Sequence, residues 1–152
     1  MQQLENNDII DLRNVSTQYG LLAGLVMAVL LIAFQLSGQD YSPFLKLSKY
    51  GILAVSIVVA LNIYRSESSK DIFIEGIQLG TKLSAIAAAA LVLVNVLLYS
   101  FAPEYAFSKY NMEPTSMLQA AIVSGVLFFE TIVFGSIITF AAVQFLKGEN
   151  VQ

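Results

Sequence analysis

The sequence predicts an all-α membrane protein, a bundle of four transmembrane helices with antiparallel neighbours and both termini on the same side of the membrane. Only 12% of the 152 residues are charged and 57% are hydrophobic, whereas charged residues make up about a quarter of a soluble globular domain. The hydrophobic residues are gathered into four blocks, each near the ~20 residues with which a helix crosses the hydrocarbon core. The prolines fall between these blocks, and most charges lie between the blocks or beyond them in the terminal segments.

The chain divides into three predicted segments. They are a polar tail over residues 1–16, a transmembrane domain over 17–147 and a short polar tail over 148–152. The first tail is acidic, and a cleaved signal peptide needs a positive region ahead of its apolar stretch. We therefore expect the first apolar block to be retained as a membrane span.

Four transmembrane spans are predicted, one for each apolar block. They cover about residues 19–36, 45–64, 77–101 and 117–146. The second is the weakest because Lys46 and Lys49 lie in its first turns. Their side chains should therefore snorkel, with the apolar stems in the lipid and the ammonium groups at the membrane surface.

The segments between the blocks predict the orientation. Loops are expected at residues 38–43, 65–71 and 102–116, and the seven tyrosines lie near block ends like an aromatic belt. Positive residues flank the membrane on the side of the termini (Arg13, Arg65, Lys70, Lys147) and on the other side (Lys46, Lys49, Lys109). Cytoplasmic loops carry the excess of positive charge. Both termini are therefore predicted to lie in the cytoplasm, by a narrow margin.

The composition excludes most enzyme classes. Cysteine and histidine are both absent, which removes thiol nucleophiles, imidazole bases and the usual zinc ligands. Glu130 has no second carboxylate at a similar predicted depth, so neither an acid–base pair nor a metal site is expected. We predict a protein without catalytic residues, metal or cofactor. The net charge of −3 and the lack of a basic cluster argue against nucleic acid as a partner.

Small residues recur at every fourth position in two blocks, which clears a flat stripe for close helix packing in lipid. The first block carries Gly20, Gly24 and Ala28, and the third carries Gly76, Gly80, Ser84 and Ala88. Three interpretations are open: packing between helices of one chain, a contact between subunits, or the ordinary abundance of small residues in membrane helices.

Glu130 lies near the middle of the fourth block, where an acidic side chain costs roughly 2 to 3.5 kcal/mol on insertion scales. A partner is therefore expected. With antiparallel third and fourth helices and a rise of ~1.5 Å per residue, Asn95 is predicted within a turn of Glu130 in height and Lys82 about two turns deeper. Gln119 and Gln144 fall on the same helix face as Glu130 and form a sparse polar line with it.

The fourth block has a second face that should avoid lipid, formed by small and hydroxyl-bearing residues. These are Ser124, Thr131, Gly135, Thr139 and Ala142. Two such faces predict either two protein neighbours or one neighbour and a cavity. For Glu130 itself three roles are open: a structural hydrogen bond, a proton or cation site, or a polar anchor for another protein.

A second polar line opens the third helix at the helical spacing of four, three and four residues. It consists of Asp71, Glu75, Gln78 and Lys82. This pattern is typical of a helix that enters the membrane through the interface, where headgroups and water satisfy the charges. The alternative is a cytoplasmic docking surface for a partner.

Three short motifs resemble the pattern of a known family. They are YGLLAG at Tyr19–Gly24, YR at Tyr64 and Arg65, and FIEGIQLG at Phe73–Gly80. In these motifs the chain is similar to domain-of-unknown-function family 4199, whose members are small multi-span inner-membrane proteins of bacteria. Arg65, Glu75 and Gly80 match the family pattern best, and Glu130 is not part of it. The resemblance implies a bacterial inner-membrane location and no particular activity.

Two functional hypotheses follow. The first is a non-catalytic membrane protein whose partners are the lipid bilayer and other membrane subunits or itself. It would be an accessory subunit or a homo-oligomer packed through the small-residue faces. The alternative is a small proton- or cation-coupled transporter that uses Glu130 as its membrane carboxylate. Four spans leave little room for a sealed pathway, so the transporter would need a dimer.

Overall fold

The computed structural model describes four ranges of the chain, and each range is one α-helix. Helix α1 is Gln2–Leu36, α2 is Pro43–Glu67, α3 is Ile72–Phe101 and α4 is Met117–Gly148. Each contains a segment long and apolar enough to cross a membrane, namely Asn14–Phe34, Leu47–Ser66, Phe73–Phe101 and Met117–Leu146. The predicted fold class, an all-α bundle of four membrane-spanning helices, is thereby confirmed.

Helix α1 is longer than the predicted first span, because the polar tail is helical from Gln2 onward. The sequence has no glycine before Gly20 and no proline before Pro43. Nothing therefore interrupts the backbone hydrogen bonding between the tail and the span. The predicted boundary at residue 16 is not a break in the backbone.

Helices α2 and α3 also extend beyond their predicted spans. Helix α2 runs to Glu67, which places Arg65 in a helix rather than a loop, and α3 already begins at Ile72. The rest of the predicted loops, at 38–42, 68–71 and 102–116, lies outside the described residues, as do Met1 and residues 149–152. The side of the membrane on which the termini lie stays a prediction.

Helix α3 lies at the centre of the bundle. It packs most extensively against α4 and α1, and α2 contacts all three of the other helices. Over the described ranges α1 and α4 do not contact each other. The apolar core includes the fully buried Met27, Ile57 and Leu83, one from each of the first three helices.

The glycines of α1 let its backbone lie directly on α3. A Cβ atom at Gly24 would stand 2.7 Å from the carbonyl oxygen of Ala87, and one at Gly20 would stand 2.8 Å from that of Leu83. Such distances are too short for a side chain, so glycine is what permits this approach. The paired residue numbers rise together, which means that α1 and α3 run parallel.

The small residues of α3 face α4 instead. Gly80 lies against the side chain of Thr139, and Gly135 lies against the side chain of Ser84, so each glycine receives a side chain from the opposite helix. The residue numbers run in opposite directions, and α3 and α4 are therefore antiparallel. These contacts also fix the register of the two helices.

The two predicted small-residue stripes are buried along their whole length. The stripe of α1 lies on α3 and the stripe of α3 lies on α4, so the two stripes do not face each other. Ser84 donates to the carbonyl of Gly80, and Thr139 to that of Gly135, one turn earlier in their own helices. These bonds satisfy the hydroxyl groups without water. The stripes serve packing between helices of one chain.

Adding a methyl group at a glycine of the α1–α3 contact should destabilise the bundle. We expect Gly24→Ala to lower the free energy of unfolding by about 1–3 kcal/mol, the usual cost of overpacking, because the new Cβ meets the Ala87 carbonyl. Gly51→Ala is the matched control, since nothing lies within 4 Å of a Cβ there. Thermal unfolding in detergent measures both variants, and equal midpoints would contradict the close contact.

Candidate functional site

The carboxyl group of Glu130 contacts two donors from helix α2. The Nζ atom of Lys49 lies 3.4 Å from its Oε1 atom, and the hydroxyl of Tyr50 donates to the same oxygen. The donors are consecutive residues in the first third of α2, and Glu130 lies near the middle of α4. The site therefore joins two helices that are distant in the sequence.

Ring packing fixes where this contact forms. The ring of Tyr50 stacks on Phe134, with 4.3 Å between the centroids and 26° between the planes. Phe134 follows Glu130 by about one helical turn, so both lie on the face of α4 that is turned toward α2. Leu53, further along α2, lies beside Gly135. Helices α2 and α4 therefore run parallel, and the stacked ring holds the tyrosine hydroxyl beside the carboxyl.

The three side chains differ in exposure. Those of Lys49 and Tyr50 are buried, whereas 24% of the Glu130 side chain is accessible. Glu130 borders a stripe of exposed apolar residues on α4, formed by Val126, Val133 and Ile137. The carboxyl is therefore accessible at the edge of the lipid-facing side of α4, and the ammonium lies behind it.

Two opposite charges in lipid stabilise each other. A single charged side chain at the centre of a membrane helix costs about 2.5–3.5 kcal/mol on insertion scales, and a close opposite charge with an added hydrogen bond offsets part of that cost. With both groups ionised, the Lys49–Glu130 pair carries no net charge. Two donors converge on one carboxylate oxygen, which is the geometry of a carboxylate-binding site.

The prediction that Lys49 snorkels to the membrane surface is wrong. Its side chain is 6% accessible and pairs with Glu130. The reason is an offset between the helices: α2 begins about two turns before Lys49, whereas α4 begins nearly four turns before Glu130. The start of α2 thus lies level with the inner part of α4, and the carboxylate replaces the headgroups as the partner of the ammonium. The side chain of Lys46 lies outside the described residues.

The prediction that Asn95 lies within a turn of Glu130 in height is also wrong. The Asn95 amide donates from Nδ2 to Oγ of Ser124 at 3.0 Å, and both side chains are buried. In the antiparallel register of α3 and α4, Asn95 is level with Ser124, about 9 Å from the level of Glu130 at ~1.5 Å per residue. The small-residue contacts between α3 and α4 fix this register. The predicted height of Asn95 was instead derived from the predicted ends of the third and fourth spans, which do not determine the register.

Lys82, the second predicted partner, occupies an exposed position on α3. The register places it level with Ile137, about 10 Å from the level of Glu130 at ~1.5 Å per residue. The polar line of α4 divides as well, since Gln119 is half-buried and Gln144 is exposed. The two contacts described for Glu130, with Lys49 and Tyr50, come from α2, which carried none of the predicted partners.

The second polar face of α4 lies on α3. Ser124 accepts the bond from Asn95, and Gly135 and Thr139 lie against small residues of the α3 stripe. Helix α2 covers the neighbouring face, where Glu130 lies. Of the two arrangements that the sequence left open for α4, two helical neighbours are the one observed.

A second hydrogen bond of α2 joins it to the start of α3. The hydroxyl of Tyr64 donates to Oε2 of Glu75. Arg65, the next residue, is half-buried, and Gly80 lies further along α3 against Thr139. The residues that carry the family resemblance thus include one contact between helices and one close-packed glycine.

The polar line at the start of α3 divides between two environments. Glu75 is half-buried and bonded to Tyr64. Gln78 and Lys82 are exposed, as an interfacial helix entry requires. Asp71 lies outside the described residues. The line therefore combines a helix contact with an exposed polar face.

Lys49 and Tyr50 are the site residues that sequence reasoning missed. Both residues lie near the start of the predicted second span. Their position in the sequence therefore assigned Lys49 to the membrane surface and Tyr50 to the aromatic belt. A usable signal is nevertheless present. A carboxylate inside the membrane calls for a cation, and Lys49 is the lysine closest to the strongly apolar part of the second block.

Comparisons with protein-family models, with curated proteins and with solved structures find no match for this chain. The resemblance to domain-of-unknown-function family 4199 stays a prediction. Over the described residues, no group of three or more histidine, cysteine, aspartate or glutamate side chains could hold a metal ion. The function is therefore inferred from the geometry of the Lys49–Tyr50–Glu130 site.

Removing one member of the Lys49–Glu130 pair should cost more than removing both. We expect Lys49→Met alone and Glu130→Leu alone each to lower the free energy of unfolding by about 3 kcal/mol or more, because each leaves a charge unpaired. The double variant should recover most of this loss. Chemical unfolding in detergent completes the double-mutant cycle.

The control is Lys82→Met, which removes an exposed lysine and should change stability by no more than about 0.5 kcal/mol. If the two single effects simply add in the double variant, the pair does not stabilise the fold in the way described.

Proposed function

We propose that this chain is a non-catalytic integral membrane protein that acts as an accessory subunit of a membrane complex, or as a homo-oligomer. The observation that carries the proposal is the use of the Glu130 carboxyl in a contact between the chain's own helices. Bound to Lys49 and Tyr50, the carboxyl stabilises the bundle itself. This supports the structural role among the three that the sequence left open.

A subunit contact would use a different surface from the predicted one. The small-residue faces pack within the chain, so they are not free for a neighbour. The exposed stripe of Val126, Val133 and Ile137 on α4 is free, and the partly accessible Glu130 carboxyl lies at its edge. We propose this α4 stripe as the contact with a neighbouring subunit, because a polar group beside apolar surface in lipid gives such a contact its orientation.

The proposal includes a bacterial inner membrane and cytoplasmic termini. The location rests on the family resemblance, and the orientation rests on the positive-inside rule. The burial of Lys49 supports the orientation, because a lysine paired inside the bundle no longer counts as a flanking charge of the opposite side. Without Lys49, the predicted cytoplasmic side has a larger excess of flanking lysines and arginines over the opposite side.

A proton- or cation-coupled transporter is the second candidate. One observation favours it: the Glu130 carboxyl is ion-paired and also 24% accessible, near the middle of its helix. Ionisable groups at such depth line the proton and ion pathways of carriers. Two copies would be needed to enclose a pathway, so both candidates use the α4 stripe.

Cross-linking tests the subunit contact. The chain has no cysteine, so Val133→Cys and Ile137→Cys each introduce a single attachment point for a maleimide photo-crosslinker. We expect illuminated membranes to give one discrete cross-linked product from both positions. Val29→Cys, an equally exposed position on α1, is the matched control and should give none. If the photo-crosslinker reacted only with lipid at all three positions and gave no protein product, the α4 contact would be contradicted.

Replacement of Glu130 by glutamine tests the transporter. Glutamine keeps a hydrogen-bond acceptor for Tyr50 but cannot take up a proton, so proton-coupled flux in proteoliposomes should be lost. Because glutamine also leaves the Lys49 ammonium without its counter-charge, flux is compared at equal amounts of folded protein. Lys82→Gln should leave both unchanged. Flux that persists in Glu130→Gln would exclude this residue as the coupling group.

A further inference from the structure

We propose that Lys49 and Tyr50 form a binding site for a small organic carboxylate, which enters when a proton neutralises Glu130. In the structure the Glu130 side chain itself occupies this site. One of its oxygens lies 3.4 Å from the Lys49 ammonium and accepts the Tyr50 hydroxyl bond. The donors are thus already arranged around a carboxylate oxygen. The inference rests on the transporter candidate for its role in transport and names the substrate class of that candidate.

Charge balance selects a proton together with an anion. In the state observed, the Lys49 ammonium balances the Glu130 carboxylate. A proton on Glu130 together with a bound monovalent anion at Lys49 again gives zero net charge. A metal cation bound to Glu130 would instead leave two positive charges against one negative, which is unfavourable in a low-dielectric site. The neutral combination therefore favours a proton with an anion over the cation version of the transporter.

The exchange involves one proton and no change in the ligand's covalent bonds. The proton comes from water and forms an O–H bond on the carboxyl of Glu130. Lys49 keeps its charge throughout, and its ammonium passes from the Glu130 oxygen to an oxygen of the incoming carboxylate. The Tyr50 hydroxyl donates to that oxygen in the same way. Release of the anion and of the proton restores the observed pair.

The surroundings favour a ligand with an apolar body. The Glu130 side chain, which must move aside, is 24% accessible, and Val126, Val133 and Phe134 expose apolar surface around it. A carboxylate whose head reaches Lys49 would place the rest of the molecule against this surface. Benzoate has these properties and is a suitable probe.

Few other titratable groups face Glu130 within the described side chains. Helix α2 contributes Lys49 and Tyr50. Helix α3, which also packs against α4, carries Lys82 and Tyr99, at levels about two and three turns from Glu130 in opposite directions. Glu75 lies about four turns away and is bonded to Tyr64. The proton linkage is therefore expected to arise from Glu130.

Proton uptake on benzoate binding tests the site. With the protein in lipid nanodiscs and weak buffer, and after subtraction of the signal from empty nanodiscs, we expect benzoate to bind and the medium to lose one proton per benzoate bound. Where Glu130 is ionised in the free protein, the affinity should fall about tenfold per pH unit. Benzamide, the neutral analogue, should not bind. Failure of the wild type to bind benzoate, or binding without proton uptake, overturns the proposal.

Two variants separate the roles of the residues. Glu130→Gln imitates the protonated carboxyl, so it should bind benzoate at every pH without taking up a proton. Lys49→Met combined with Glu130→Gln leaves no unpaired charge, which favours folding, and should lose binding. Lys82→Met is the control and should bind as the wild type does. Equal benzoate affinity with and without Lys49 would rule out this site.

Flux measured in proteoliposomes distinguishes this inference from the transporter candidate. Benzoate binding with proton uptake but no benzoate flux supports the site and contradicts the transporter. Proton-coupled flux of a cation without benzoate binding supports the transporter and overturns the carboxylate site. Electroneutral uptake of benzoate with a proton, at a rate above that of protein-free liposomes, supports both.

Discussion

The close approach of helix α3 to α1 and α4 sets the geometry of the whole bundle. In lipid, helices gain little by covering apolar surface, so the places where backbones can touch decide how they pack. Helix α1 lies on α3 at Gly20 and Gly24, and α3 meets α4 at Gly80 and Gly135. If α1 or α4 were shifted along α3 by one residue, a larger residue would take the place of glycine, and its side chain would collide with the opposite helix. The resulting register also decides which residues lie level with Glu130.

Helix α2 adds a different kind of contact to its apolar packing in the core. Its glycine, Gly51, has nothing within 4 Å of where a Cβ would stand. Two buried tyrosines instead donate to glutamates, Tyr50 to Glu130 of α4 and Tyr64 to Glu75 of α3. Hydrogen bonds to charged acceptors are strong where water is scarce, yet they depend on protonation in a way that glycine packing does not. A change in the charge of Glu130 would therefore act first on the contact between α2 and α4.

The structural and the transport functions place different demands on Glu130. A structural contact requires the carboxyl to stay with Lys49 and Tyr50, whereas transport requires it to leave them reversibly. The observed site meets the first requirement by burying both donors, and the accessible quarter of the Glu130 side chain is compatible with the second. The proposed α4 contact would serve both functions, because four helices of one chain leave little room for a sealed pathway. The two proposed functions thus differ in whether the Glu130 carboxyl must stay bound to Lys49 and Tyr50 or must leave them reversibly.

The sequence by itself determined the membrane class, the four helices, the small-residue stripes and the unusual position of Glu130. These features follow from composition and from periodicity within single helices, which are local properties. The tertiary structure decided that the two stripes pack on different helices, that Asn95 bonds Ser124, and that Lys49 pairs with Glu130 rather than reaching the surface. Lys49 and Glu130 are 81 residues apart in the chain. Such a contact depends on the register of neighbouring helices, and that register is set by side-chain packing between helices, which no single helix encodes.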